Sequence, residues 1–187
     1  MLVATPLLHG LRRSFPNAKI AIGVGDWAKP LLENNPDIDK IIPCNAPWHN
    51  KQNCRYPANS PKTFLEGLCY SLFSKEARYL RKESFSHGID VLGSRQGSWL
   101  LRSAAIPNRF GVKGYAGGDN WCKKFISFKE NRKVAEAALE FLKLLGSNEK
   151  IEPRPKIYLT EDEVKEARRR WNAGDSKKKK IIIAPGG

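Results

Sequence analysis

Short apolar runs and amphipathic helical stripes take turns along this chain, and that alternation constrains the fold more than any other feature. Ala4, Leu7, Leu8, Leu11 and Phe15 recur at helical spacing. "AKIAIGVG" (18–25) reads as a strand, a short helical piece runs through Leu32, and "DKIIPCN" (39–45) reads as a second strand. A loop rich in Pro and Asn covers 46–61. Phe64, Leu65, Leu68, Leu72, Phe73, Ala77 and Leu80 then predict one long amphipathic helix. "GIDVLGS" (88–94) reads as a strand, "WLLRSAA" as a helix and "RFGVK" (109–113) as another strand. Val134, Ala138, Leu142 and Leu145 stripe a further helix, ended by Gly146 just past its last turn. Strands alternating with helices predict an α/β fold: a parallel sheet covered by helices on both faces.

Past Gly146 the texture changes. "SNEKIEPRPKIYL" carries two prolines and many charges, as a linker does. Thr160 and Glu163 have the spacing of a capping box, which predicts a polar helix ending near Gly174. "KKKKIIIAPGG" closes the sequence as a strand running into a glycine loop, its lysines a solvated connection. The expected organisation is a domain over 1–146, a linker with a connecting helix over 147–179, and the first strand and loop of another domain over 180–187.

Charge narrows the partners. With 33 Lys and Arg against 19 Asp and Glu, the formal net charge is +14, a field that favours polyanions: nucleic acid, phosphorylated substrates or an acidic membrane surface. No apolar run approaches the roughly 20 residues of a spanning helix, and the start lacks the basic leader of a secretory signal. Cys44, Cys54, Cys69 and Cys122 show no CxxC pairing, and their spacing to His49 fits no zinc pattern, so no metal site is expected and a reducing cytoplasm is the simplest setting.

Several short motifs have chemical potential. "GVGDWA" sets Gly23, Gly25 and Ala28 in a GxGxxA pattern, but Pro43, Cys44 and Asn45 stand where a dinucleotide site wants an acid, so a plain strand-to-helix turn is expected. GxxxxGK[ST] and GxSxG are both absent from the sequence, which disfavours P-loop and α/β-hydrolase chemistry. "GSRQGS" (93–98) follows the strand 88–92, at the sheet end where open α/β folds place ligands. Ser94, Arg95 and Gln96 there either donate to phosphate or sugar oxygens or simply cap the next helix. Arg109 and Lys113 flank a glycine loop suited to an anion, while His9 and His87 have no partner evident in the sequence and read as structural.

Taken in order, "TPLLHGLRRSFPNAKIAIGV", "LLENNPDIDKII", "FSHGIDVLGSRQGSWLLRSAAIPNRFGVKGY", "LEFLKLLG" and "IIIAPGG" resemble the N-terminal half of glycosyltransferase family 9, the bacterial ADP-heptose:lipopolysaccharide heptosyltransferases. The resemblance spans nearly the whole chain. It implies the acceptor-side, Rossmann-like domain of a two-domain GT-B enzyme, truncated at both ends. The reaction it implies is metal-independent, inverting transfer of a sugar from a nucleotide-sugar, ADP-heptose, to a lipopolysaccharide inner-core acceptor. The work would be done in the cytoplasm, peripheral to the anionic inner membrane, with no specific nucleic acid involved.

The resemblance also assigns roles. Thr5, Arg95, Gln96 and Lys113 would line the acceptor side, and Pro185, Gly186 and Gly187 would begin the donor-phosphate loop. The aspartate general base of the family would precede Met1, leaving no catalytic residue in this sequence. A family strand beside 18–25 would likewise precede Met1, so unpaired backbone is expected at that place in the sheet. Pro6 would fall inside a helix begun earlier and kink it. The rival readings are a basic nucleic-acid or polyanion-binding module, for which no RNP, KH or helix-turn-helix pattern appears, and a nucleotide-linked oxidoreductase resting on "GVGDWA" alone.

Overall fold

A computed structural model describes residues 2–48, 54–57 and 60–172. It divides into two compact units, Met1–Ile157 and Tyr158–Gly187. In the first, a 3₁₀ turn over Leu2–Ala4 leads into helix α1 (Thr5–Ser14). Pro6 therefore sits in the first turn of α1, where a missing N–H costs nothing, and not inside a helix that it would kink. Strands β1 (Ala21–Val24) and β2 (Lys40–Pro43) follow, joined through a 3₁₀ helix over Asp26–Leu31.

Two helices occupy the stretch whose periodicity predicts one: α2 (Pro61–Phe73) and α3 (Lys75–Glu83). Ser74 breaks them apart. Its backbone is extended, and its hydroxyl accepts from the Ala77 N–H at 3.0 Å, making it the N-cap of α3. Next come β3 (His87–Ile89), α4 (Arg95–Ser103), β4 (Asn108–Lys113), β5 (Lys124–Ser127) and α5 (Val134–Leu144). The strand expected over 88–94 stops early because the chain turns at Asp90, and β5 was not anticipated.

All strand pairs are parallel, as expected, but they form two sheets where one was expected: β1–β2, and β3–β4–β5 in that order. Helix α1 serves both. Leu7 is buried with Phe110, Val112, Ile126, Ala138, Phe141 and Leu142 in the core of the larger sheet. Leu8, one position on, is buried with Ile20, Val24, Ala28 and Leu32 against the smaller sheet, and Leu11 packs on both clusters. A third cluster joins Cys44 and Ala46 to Ala77 of α3 and Leu100 of α4.

Gly146 ends α5 in the manner its position predicts. It takes φ +87°, and the N–H groups of Gly146 and Ser147 bond the Lys143 and Leu142 carbonyls, a Schellman closure. The second unit contains helix α6 (Glu161–Asn172). The Thr160 N–H donates to Glu163 Oε2 at 2.7 Å while Thr160 Oγ1 accepts from the Glu163 N–H at 3.2 Å, so the capping box forms in both directions. The Thr160 N–H, and then the Thr160 hydroxyl donating at 3.0 Å, hold the Glu163 carboxyl below its usual range. Thr160→Ala is therefore expected to cost about 1 kcal/mol of helix stability. It should be seen as faster amide exchange over 161–166, with α5 unchanged. Lowering the pH through the range where Glu163 protonates should fray the same turn, since the stabilising form is the carboxylate. Pro185, Gly186, Gly187 and the lysine run lie outside the described residues.

Candidate functional site

The best-defined candidate site is built where β3 ends. The Asp90 N–H continues the ladder to the Phe110 carbonyl, and the chain then folds around the Asp90 side chain. Its carboxylate accepts from the N–H groups of Leu92 (3.1 Å) and Ser94 (2.9 Å). Gly93 takes φ +73° and lies against Val112, with no room for a side chain. Ser94 then caps α4, its hydroxyl accepting from the Gly97 N–H at 2.9 Å. Of the two roles open to Ser94, the structure shows the cap: the residue is only 7% exposed.

A second loop is stitched onto the first. Ser94 bridges to Ala116 and Gly117, and the Arg95 N–H bonds the Ala116 carbonyl at 2.9 Å. Gly118 lies directly on the Gly93 backbone, and Gly111 of β4 lies against the Gly118 carbonyl. Three glycines thus let strand, turn and loop meet backbone to backbone. Burial pushes the Asp90 carboxyl up to about 6, in spite of the amides of Gly93, Ser94 and Leu92 that favour its charge. Burial also raises the nearby Cys122 thiol to about 11, with Asp90 adding to the rise, so Cys122 is no thiolate nucleophile.

The predicted residues separate on this frame. Arg95 opens α4 with its side chain exposed and, among the described residues, without a hydrogen-bond or ion-pair partner. Lys113 ends β4, exposed, with its ammonium 5.0 Å from the Phe125 ring centre. Both therefore stand at the carboxyl ends of the larger sheet with cationic heads available to an anion. Gln96 lies over Gly67 of α2, where a methyl group would come within 2.9 Å of its Cγ.

Thr5 sits elsewhere, in a recess of about 130 Å³ lined also by His9, Arg13, Lys150, Glu152 and Lys156. Its hydroxyl is engaged, donating to the Leu2 carbonyl at 2.8 Å and accepting from the Lys156 N–H at 3.0 Å. Arg109, read from the sequence as suited to an anion, is spent on the carbonyls of Trp121 and Ile106. His9 does have a partner, Asp37 at 3.1 Å, brought to it from 28 residues away. At "GVGDWA", Asp26 and Asn45 bond each other twice across the turn, which opens only the short 3₁₀ helix. That is the plain turn the sequence suggests.

Sequence reasoning missed Asp90 as the organiser of this corner. The one signal was an acid directly after a strand and three residues before a Gly-Ser pair, a local pattern in which a carboxylate collects backbone amides.

No family model and no curated protein sequence matches the chain. Solved structures do. A family 9 glycosyl transferase from Veillonella parvula DSM 2008 superposes with a TM-score of 0.67 at 18% identity, over 92% of this chain and 45% of its own. The chain has a glycosyltransferase fold. ADP-heptose lps heptosyltransferase II of E. coli superposes similarly, with a TM-score of 0.61 at 15% identity over 93% of this chain and 47% of its own. This chain thus spans less than half the length of either protein, as a Rossmann-like portion of a GT-B glycosyltransferase fold. In that glycosyltransferase fold the Asp90 corner lies at the carboxyl edge of a parallel sheet, the usual place for ligands in open α/β architectures.

Proposed function

We propose that this protein is the acceptor-side part of an inverting glycosyltransferase that moves a heptose from ADP-heptose to a phosphorylated lipopolysaccharide core. The observation that carries the reading is the pair of available cations, Arg95 and Lys113, on a locked corner of a glycosyltransferase fold. Arg95 offers a planar fork to a phosphate or carboxylate oxygen, and Lys113 a point charge. Because Gly93, Gly111 and Gly118 fix the loops beneath them, little ordering accompanies binding. Gln96, next to Arg95 on α4, packs on Gly67 of α2, while Thr5 would meet the acceptor from its separate recess, held there by its bond to the Lys156 backbone. Transfer in this reading needs no metal: the acceptor oxygen attacks the anomeric carbon, the nucleotide diphosphate leaves, and a carboxylate takes the hydroxyl proton. The donor phosphates belong with Pro185, Gly186 and Gly187. The net charge of +14 suits work at the cytoplasmic face of an anionic membrane.

Calorimetric titration with a phosphorylated inner-core oligosaccharide tests this. Arg95→Ala and Lys113→Ala should each weaken binding about tenfold, since a hydrogen bond to a charged group contributes roughly 1.5–3 kcal/mol. The dephosphorylated sugar should bind no better to the parent than to the variants. The 187 residues span less than half of either matched glycosyltransferase, so this polypeptide on its own is expected to bind acceptor without releasing nucleotide from ADP-heptose, positioning of the donor contributing several kcal/mol to such a reaction. The charge also favours a second reading, a general polyanion binder. Equal affinity for duplex DNA, falling steeply with salt, would select it.

A further inference from the structure

Helix α2 is built inside out. Its buried face is a stripe of small residues, Thr63 (1% exposed), Gly67 and Ser71 (1% exposed), set four apart against α4. Gln96 covers Gly67, and Ser103 donates to the Ser71 carbonyl at 2.6 Å. The large apolar residues point the other way. Leu65 is 59% exposed, Leu72 40% and Phe73 69%, and with exposed Cys69 they recur at four, seven and eight positions along one face. Phe64, beside them, is steadied by Trp99 at 4.9 Å between ring centres. A soluble helix normally presents the opposite pattern, and an ordered apolar face of this kind marks a partner.

Charge identifies the partner. Over α2 and α3 stand five cations, Lys62, Lys75, Arg78, Arg81 and Lys82, against three carboxylates, Glu66, Glu76 and Glu83. All five cations are exposed, the three carboxylates are half-buried, Glu66 faces Arg55, and Glu83 faces Lys19 and Lys40. Four of the cations are on α3, one residue beyond α2, and the Arg81 guanidinium reaches back to the Leu72 carbonyl. We infer that the α2–α3 pair is a docking surface for an anionic lipid bilayer, with Leu65, Leu72 and Phe73 entering the acyl boundary and the α3 cations meeting the headgroups.

Other occupants fit worse. A second copy would set two such cationic belts face to face on chains that each carry +14. Nucleic acid offers no apolar layer for protruding Leu and Phe side chains. Only a charged bilayer supplies both chemistries in one plane. The reading above names a membrane without a surface; this inference supplies the surface, on geometry separate from the Arg95–Lys113 corner.

Flotation of the 187-residue chain with vesicles tests it. Binding is expected to vesicles of phosphatidylcholine with 30% phosphatidylglycerol and not to phosphatidylcholine alone, weakening as salt is raised. Leu65→Ser with Phe73→Ser should lower binding at least tenfold, as should Lys75→Glu with Arg78→Glu. Acceptor titration should be unchanged in both, and an unaltered near-ultraviolet dichroism spectrum establishes that the variants fold. A polarity-sensitive fluorophore on Cys69, in a Cys54→Ser background, should shift to the blue on anionic vesicles. Absence of vesicle binding, binding indifferent to Leu65 and Phe73, or a dimer lost in the serine variant would each overturn the proposal. Acceptor binding that is indifferent to Arg95→Ala and Lys113→Ala, with vesicle binding intact, overturns the transferase reading alone.

Discussion

Gly118→Ala is expected to destabilise the first unit by about 3 kcal/mol or more, the upper range for forcing atoms into a packed interior. The added methyl would lie 2.3 Å from the Gly93 carbonyl carbon and 2.4 Å from its oxygen, and backbone cannot swing aside as a flexible side chain does. Gly118 is not in the left-handed region, so sterics alone carry the effect. Gly114 is the matched control: it takes φ +85° with nothing within 4 Å of the added methyl, so Gly114→Ala carries conformational strain alone, roughly 1–2 kcal/mol. Chemical denaturation of both variants checks the ranking. If Gly118→Ala is no worse than Gly114→Ala, the close approach of the two loops is not what shapes the corner. Binding at Arg95 should fall together with stability in Gly118→Ala, because the loop that meets the Arg95 backbone has moved.

Asp90 gives the second large effect, and its sign can be worked out. An unfolded aspartate titrates near 3.9, and burial brings the folded group to about 6. Between those values the native chain holds more protons than the unfolded one, so the Asp90 contribution rises as pH falls from 7 towards 4, by about 3 kcal/mol in all. Asp39 works in the opposite direction and in another window. The Ile20 amide and then Arg12 hold its carboxyl below the usual range, so its contribution is lost only as pH falls below about 4. Asp90→Asn should abolish the slope between pH 4 and 6. Asp90→Ala should do so too, and at pH 7 it should cost about 2–4 kcal/mol by leaving the Leu92 and Ser94 amides without their acceptor. Denaturation midpoints taken at half-unit pH steps decide it. A slope that survives in Asp90→Asn would place the titrating group elsewhere.

What could be read in the sequence was what is decided locally. β1, β2 and β4 announce themselves as short apolar runs, Gly146 closes α5 through two bonds within six residues, and the Thr160–Glu163 box spans a single turn. The break at Ser74 was hidden because a serine can ride on a helical stripe as easily as cap a new helix, and neither Pro nor Gly stands near it. β5 was hidden because only Ile126 of "KFIS" is buried; an edge strand with one inward residue has no period to detect. The placing of Arg95 and Lys113 at the carboxyl ends of strands was legible because it is a matter of order along the chain. The roles of Thr5 and Arg109 depend on backbone carbonyls and amides supplied by other segments, Lys156 in one case and Trp121 in the other. Asp90 escaped for the same reason, since its partners are amides that every residue carries.

Two sheets leaning on one helix make a molecule with two cooperative parts. The two-stranded sheet has little support of its own, and pairs of strands are marginal without a packed face; the larger sheet is closed beneath by α5 and Phe141. Opening of the smaller part therefore requires Leu8 to leave its cluster and the His9–Asp37 and Arg12–Asp39 pairs to part, while Leu7 keeps α1 on the larger. Slow-exchanging amides should accordingly sort into two classes, with β1 and β2 released at a lower free energy than β4. Leu11 packs on both clusters, so it is the side chain through which a disturbance on one side is felt on the other. Trimming Leu11 should not merely weaken the fold but uncouple it, turning one melting event into two.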